Sequence, residues 1–318
     1  MCAIDAAIVK RSFAQLRSRR TQTETAAPLA STAPSTSAPS SSADGVTLET
    51  IMAQLEGKVV LITGGASGIG ETTARLFVRH SAKVLIADVH NELGHSVCKD
   101  IGSESISYIH CDVTNEPDFE KAVDMVVSKY GKLDIMFNNA SISGKAESRI
   151  LESKNENFKR VLGTNIFNAF LGAKHAARVM IPAKKGSILF TSSPASILAN
   201  DISHSYMTSK HVVVGIAKNL SVEYGQYGIR INCVAPFATA TPLLTNAIEK
   251  MEKNKVEDVV SSTANLKGVI LEPEDIAEVA LYFRSDESKH VSGLNLVVDG
   301  GYSLTNPTFS NALKSLYS

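Results

Sequence analysis

The sequence predicts an α/β fold: a single-domain, Rossmann-type, doubly wound parallel sheet with helices on both faces. Three observations predict it. Short runs of apolar, β-branched residues alternate with amphipathic stretches between residues 55 and 305. Strands covered on both faces read as continuous apolar runs, and parallel neighbours need a helical crossover between them. A glycine-rich turn, TGGASGIG over Thr63–Gly70, joins the first apolar run to the first helical stretch. No linker-like segment interrupts residues 55–305.

The elements follow in order. KVVLIT (58–63) reads as a strand and 69–80 as a helix. KVLIA (83–87) is the second strand, before a helix near 91–101. Strand 106–110 precedes helix 116–130, and LDIMF (133–137) precedes a long helical region at about 155–180. SILFT (187–191) leads to helix 206–224 and IRINCV (229–234) to a segment without strand signal, 237–268. A helix at 274–283 and a last strand at 294–298 close the pattern. Right-handed crossovers between such strands give a doubly wound sheet.

Composition bounds the function classes. The 318 residues carry 32 Lys+Arg and 32 Asp+Glu, a balance that argues against nucleic acid or an acidic membrane as partner. No apolar stretch reaches the length of a membrane span. Cys2, Cys98, Cys111 and Cys233 are scattered with no C-x-x-C, so neither a disulfide framework nor a zinc site is indicated. The eight histidines are equally dispersed, and no metal is expected. The zero balance splits unevenly along the chain. Residues 1–52 hold five bases (Lys10, Arg11, Arg17, Arg19, Arg20) and four acids (Asp5, Glu24, Asp44, Glu49), with a Ser/Thr/Ala/Pro-rich stretch over 21–50. Too few apolar groups occur there to offset the entropy of ordering, so 1–52 reads as a disordered extension and 53–318 as the domain. The extension is either a plain tail or an organelle transit peptide. The chain is accordingly expected in the cytoplasm, or in a mitochondrion or plastid.

The chemistry starts at the glycine turn. Gly64 permits the tight turn, Gly68 lets backbone approach a pyrophosphate, and Gly70 lets the helix pack closely on the sheet. The helix N-terminus offers free N–H groups to phosphate. Asp88 ends the second strand, where a carboxylate accepts hydrogen bonds from ribose hydroxyls and repels a 2′-phosphate. Val89 and His90 follow with no Lys or Arg, which favours NAD over NADP. Tyr206 and Lys210 stand at i and i+4 on one helix face, where an ammonium favours the phenolate and draws its pKa down from about 10. They follow the strand whose end carries Thr191, Ser192 and Ser193, and doubly wound sheets bind ligands beyond the carboxyl ends of their strands. His204, two residues before Tyr206, reads as an exposed loop histidine.

These motifs together resemble the short-chain dehydrogenase/reductase family over residues 55–301. TGGASGIG matches its T-G-x-x-x-G-x-G loop. Cys111-Asp112-Val113 matches the segment whose Asp lies against adenine, and Asn138-Asn139-Ala140 most of N-N-A-G. Asn165, Ser193, Tyr206 and Lys210 match the catalytic tetrad. HCDVTNE, LGAKHAARVM, NLKG and VDGG are similar to a plant NAD-dependent group that contains momilactone A synthase, secoisolariciresinol dehydrogenase and xanthoxin dehydrogenase.

The resemblance implies oxidation of a secondary alcohol of terpenoid or phenolic type to a ketone, with a small-molecule alcohol or ketone as partner. It implies Tyr206 as acid/base, Lys210 on the nicotinamide ribose, Ser193 on the substrate oxygen and Asn165 holding a water in the proton relay. It places Gly64, Ser67, Gly68, Ile69, Gly70, Asp88, Asp112, Val113, Asn139, Ala140 and Thr241 against NAD, together with Tyr206 and Lys210. Residues 237–268 are expected to form a substrate lid. A homo-oligomer, tetramer or dimer, is implied through the helices near 155–180 and 206–224. Three positions depart from the pattern. Ser141 replaces the glycine of N-N-A-G and would cost about 1 kcal/mol if φ there is positive. Pro194 follows the catalytic serine, and Phe237 stands where many members have glycine. An NADPH-dependent carbonyl reductase of the same fold and a catalytically silent dinucleotide-binding regulator remain alternatives.

Overall fold

The strand Val59–Thr63 (β1) is buried at every residue, as a strand covered on both faces must be. Its side chains alternate between two layers. Val59 and Leu61 join the cluster built around Phe119, Val123 and Met136, while Val60 and Ile62 face the other side of the sheet. The computed structural model describes residues 54–102, 104–145, 147, 149–199, 202–247 and 252–305. The extension expected over 1–52 lies outside the described residues.

The strands are β1, Lys83–Asp88 (β2), Ile106–His110 (β3), Ile135–Asn138 (β4), Gly186–Thr191 (β5), Ile229–Pro236 (β6) and Asn295–Val298 (β7). They form one seven-stranded sheet in the order β3-β2-β1-β4-β5-β6-β7, with every pairing parallel. The order reverses between β1 and β4, and that switch point opens a crevice at the carboxyl ends of both strands.

The helices are Gly68–Arg79 (α1), Asn91–Ile101 (α2), Glu116–Tyr130 (α3), Asn155–Ala183 (α4), His204–Gly225 (α5), Pro242–Ala247 (α6), Lys253–Thr263 (α7) and Pro273–Tyr282 (α8). Packing divides the main ones between the faces: α1 lies against α8, whereas α3, α4 and α5 lie side by side. Their ends obey local chemistry. The Asn115 side chain accepts the Asp118 N–H to cap α3, and Gly131, at φ 82°, closes it. Ser203 caps α5 by accepting the Tyr206 N–H.

Two elements differ in detail from the expected ones. The long helix runs through Pro182 and stops one residue later, at Ala183, where Lys184 ends it at φ 50°. The segment 237–268 is not featureless. It carries two short helices, α6 and α7, and no strand, in keeping with the missing strand signal.

Helix α4 lies closest to the sheet at Gly172, where a Cβ would fall 1.6 Å from Asn138 Oδ1 and 3.1 Å from Met136 Cε. Gly163, on the same helix, has nothing within 4 Å of a Cβ. Gly172→Ala should therefore destabilise the fold by about 1–3 kcal/mol, whereas Gly163→Ala should stabilise it by about 0.5–1 kcal/mol. Urea denaturation of the pair checks this, and equal midpoints would contradict the close approach.

Candidate active site

The site begins with a hydroxyl at the end of β1. Thr63 Oγ1 accepts the backbone N–H groups of Asn139 (3.1 Å) and Ala140 (3.2 Å) and donates to Asn168 Oδ1 (2.8 Å). Asn139 donates to the Gly64 carbonyl (3.1 Å) and accepts from Thr191 Oγ1 (2.9 Å). Asn168 returns a bond to the Ala140 carbonyl (2.8 Å). Four side chains thus lock the ends of β1, β4 and β5 to α4 and set the shape of the crevice.

The phosphate loop sits on this frame. Gly64 (φ 63°) and Gly68 (φ 54°) hold conformations that side-chain-bearing residues avoid. A Cβ on Gly70 would lie 2.0 Å from the Gly64 carbonyl oxygen and 2.7 Å from Asn139 Nδ2, so Gly70 lets the helix close on its own loop and on the end of β4. Ser67 stands at the N-cap of α1, yet its side chain caps nothing. Unlike Asn115 and Ser203, it leaves the first amides of its helix to a ligand. Asp88, 8% exposed, uses one carboxylate oxygen on the Ala66 N–H (3.1 Å) and the other on the His90 N–H (3.0 Å). It therefore braces the loop besides facing the cleft.

A cleft of about 770 Å³ unites most of the expected positions. Gly64, Ser67, Gly68, Ile69, Asp88, Asp112, Val113, Asn139, Ala140, Ser193, Tyr206 and Thr241 line it. Gly70, Asn165 and Lys210 stand behind the wall. The uncapped amides, positive-φ glycines and acid at the β2 end fit a dinucleotide: the loop would hold its diphosphate and Asp88 its adenine ribose.

Ser193 is extended (φ −165°, ψ 158°), as the following proline requires, and Pro194 opens a 3₁₀ turn where its missing N–H is not needed. Burial pushes the Tyr206 phenol above its ordinary range, and a hydrogen bond with Ser193 opposes this. The chain's own groups thus raise the phenol where a lowered one was expected. Lys210 is 1% exposed, with Nζ 5.3 Å from the Tyr206 ring centroid. Nζ donates to the Thr191 carbonyl (2.9 Å) and to Ser141 Oγ (3.2 Å), and burial pulls its pKa down to about 8.

Ser141 is absent from the positive-φ positions, so the strain expected there does not arise. Its hydroxyl instead holds the lysine, a role sequence spacing could not show. Asn165 is anchored on both sides. Its Nδ2 donates to the Ile142 carbonyl (3.0 Å) and Ser209 Oγ (2.9 Å), and its Oδ1 accepts the Ile142 N–H (2.8 Å). Both amide protons are committed to protein, so this side chain clamps the loop that carries Ser141. His204 does not line the cleft. Tyr302 does, stacked on Phe237 with ring centroids 4.3 Å apart. It was missed because it follows the last strand, although the VDGG motif just before it marked the place. Among the described residues no His/Cys/Asp/Glu cluster could hold a metal ion, and no helix is long and apolar enough to cross a membrane.

A family model described as Enoyl-(Acyl carrier protein) reductase matches residues 64–303. The chain belongs to the short-chain dehydrogenase/reductase family. It is 57% identical to Short chain aldehyde dehydrogenase 1 of Euphorbia lathyris over 83% of this chain and 94% of that one. Identity to secoisolariciresinol dehydrogenase of Forsythia intermedia is 53%, over 81% and 94%. The crystal structure of 3-ketoacyl-(acyl-carrier-protein) reductase from Brucella melitensis complexed with NADH superposes with a TM-score of 0.70 at 32% identity, covering 78% of this chain and 99% of that one. The chain is thus an oxidoreductase of a family that binds a nicotinamide dinucleotide.

The buried Lys210 carries a stability cost that depends on pH. Below about pH 8 the folded state holds an ammonium out of water. Between 8 and the ordinary 10.5 the folded lysine sheds its proton while the unfolded one keeps it, so stability rises with pH there. Lys210→Met should stabilise the fold by up to about 3 kcal/mol at pH 7, with the gain fading toward pH 10.5. Thermal denaturation across pH checks both the sign and the window.

Proposed function

We propose that the protein is an NAD-dependent alcohol dehydrogenase that oxidises a secondary alcohol of terpenoid or phenolic type to a ketone. The convergence of Ser193, Tyr206 and Lys210 beyond the end of β5 carries this reading. A bound nicotinamide would supply the hydride acceptor. The chain's residues do the rest. Ser193 hydrogen-bonds the substrate oxygen and positions it over Tyr206. The Tyr206 phenolate takes the hydroxyl proton. Lys210, held by Ser141 and Thr191, keeps a positive charge near the phenol and lowers the cost of that phenolate. Asn165 keeps the Ser141 loop in place. The apolar wall of Ile142, Leu198, Ile202, Leu243 and Leu244, closed by Tyr302, favours a hydrophobic skeleton over a small polar alcohol, and is consistent with relatives such as secoisolariciresinol dehydrogenase.

Support for NAD comes from Asp88 and the absence of a lysine or arginine at Val89 and His90, both of which line the cleft. A specific observation favours a second direction. Burial keeps the Tyr206 phenol protonated at neutral pH, which is the form that donates to a ketone oxygen. Carbonyl reduction is therefore the second reading. An oligomer through α4 and α5 is also proposed, because Phe167, Phe170 and Val222 are 49, 50 and 81% exposed there. Light scattering measures it, and a monomer at micromolar concentration would exclude it.

The central experiment is a screen of cyclic secondary alcohols with NAD. Tyr206→Phe should lose about 10²–10⁴-fold in kcat, and unchanged turnover would refute the mechanism. Because the raised phenol must lose its proton for oxidation and keep it for reduction, oxidation should speed up with pH to beyond the ordinary phenol range near 10, and reduction should slow only there. Val89→Arg leaves the Asp88 brace intact and should shift the ratio of kcat/KM toward NADP about tenfold, with Asp88→Ser added to it going further. An unchanged ratio in both variants would sink the NAD assignment.

A further inference from the structure

The opposite end of the sheet carries a second cleft, of about 390 Å³, at the amino ends of β4, β5 and β6. Its wall includes Arg284, which is 5% exposed. Nε, Nη1 and Nη2 of Arg284 are all buried without a hydrogen-bond partner among the described residues. Arg230, also on this wall, donates Nη2 to the Phe283 carbonyl (2.8 Å) and leaves Nη1 buried and unpartnered. Ser187 Oγ is in the same condition. Among the described residues, five of the eleven buried polar side-chain atoms without a partner therefore sit on this one cleft.

A buried guanidinium without an acceptor is among the least favourable arrangements a fold can hold, and it calls for an anion. Among the described residues none supplies one to Arg284. Five cationic side chains line the cleft (Lys58, Lys185, Arg230, Arg284 and Lys289) against two carboxylates. Of these, Asp134 is taken by Lys132 (2.8 Å) and the Val59 N–H (2.9 Å). Asp286 acts on Arg230, whereas the charge that acts on Arg284 is the like charge of Arg230, and with burial it holds the Arg284 guanidinium well below its usual range.

We infer that this cleft is a binding site for a phosphate-type oxyanion, separate from the dinucleotide cleft at the carboxyl ends of the strands. Arg284 has three uncommitted nitrogens and Arg230 one, Nη1, and guanidinium N–H groups pair well with the oxygens of such a group. The lysines around them add charge, and Ser187 adds one neutral donor. An anion here would tie the start of β5 and β6 to the segment that follows α8.

Inorganic phosphate is the probe. The full-length protein, saturated with NADH so that the glycine loop is occupied, is titrated with phosphate at constant ionic strength against chloride. Thermal denaturation should show a saturable rise on the order of 3 °C, and calorimetry a single site. Arg284→Leu should abolish the response while NADH binding stays normal. Should that variant not fold, Lys289→Gln on the exposed rim should weaken phosphate binding about threefold. No response beyond chloride, full retention of the response in Arg284→Leu or Lys289→Gln, or loss of it whenever NADH is present would overturn the site.

Discussion

Everything at the carboxyl end of the sheet hangs on one buried hydroxyl. Thr63 is the last residue of β1, the strand beside which the sheet order reverses. Its Oγ1 bridges the backbone after β4 to Asn168 on α4. Without that bridge the Ala140 amide and the Asn168 carboxamide oxygen would be left unpaired in a region shut off from water, at about 1–3 kcal/mol each, and the Asn139 amide would keep only the Phe137 carbonyl. The same bonds fix where Gly64 turns, because Asn139 holds the Gly64 carbonyl. They also fix β5, because Asn139 accepts from Thr191, whose carbonyl in turn anchors Lys210. One chain of hydrogen bonds therefore runs from the phosphate loop to the lysine. Loop and catalytic groups cannot move independently.

That coupling explains how a fold tolerates a charge at its centre. Lys210 has lost its water but keeps two acceptors, one from β5 and one from the loop after β4. Neither is a carboxylate, so nothing cancels the charge locally and burial lowers its proton affinity. A carboxylate partner would stabilise the fold more and disarm the lysine, since its field would oppose the phenolate that the proposed chemistry needs. The neutral acceptors are the compromise. Ser141 belongs to it: glycine at that position would leave the ammonium with one acceptor fewer.

Much of this was legible in the sequence. Helices 91–101 and 116–130 and strand 106–110 lie where apolar period and turn residues placed them, and most other boundaries moved by one or two residues. Position in the α/β pattern did the work, because a glycine loop after a strand and a tyrosine–lysine pair after another can meet only at the carboxyl edge of a parallel sheet. What was not legible depends on contacts far apart in sequence. Ser141 and Lys210 are 69 residues apart, so nothing near Ser141 shows that its hydroxyl is used. The two protein bonds of Asn165 Nδ2 reach 23 and 44 residues away. The cationic cleft was hidden by composition, since near-neutral totals over a chain say nothing about Arg230 and Arg284 sharing one pocket.

Asp88 shows why cofactor choice in such a fold resists simple exchange. A carboxylate at the end of β2 is read as a selector, by attraction to ribose hydroxyls and repulsion of phosphate. Here both of its oxygens also accept backbone N–H groups, from Ala66 in the glycine loop and from His90 at the start of α2. Removing the charge therefore releases an amide in the loop as well as the repulsion. A substitution that accepts the 2′-phosphate but cannot accept the Ala66 N–H loosens the loop that must hold the diphosphate, and what is gained at the ribose is offset two residues beyond Gly64. Selectivity is then best altered from Val89, which is 47% exposed, lines the same cleft and makes no bond to the loop.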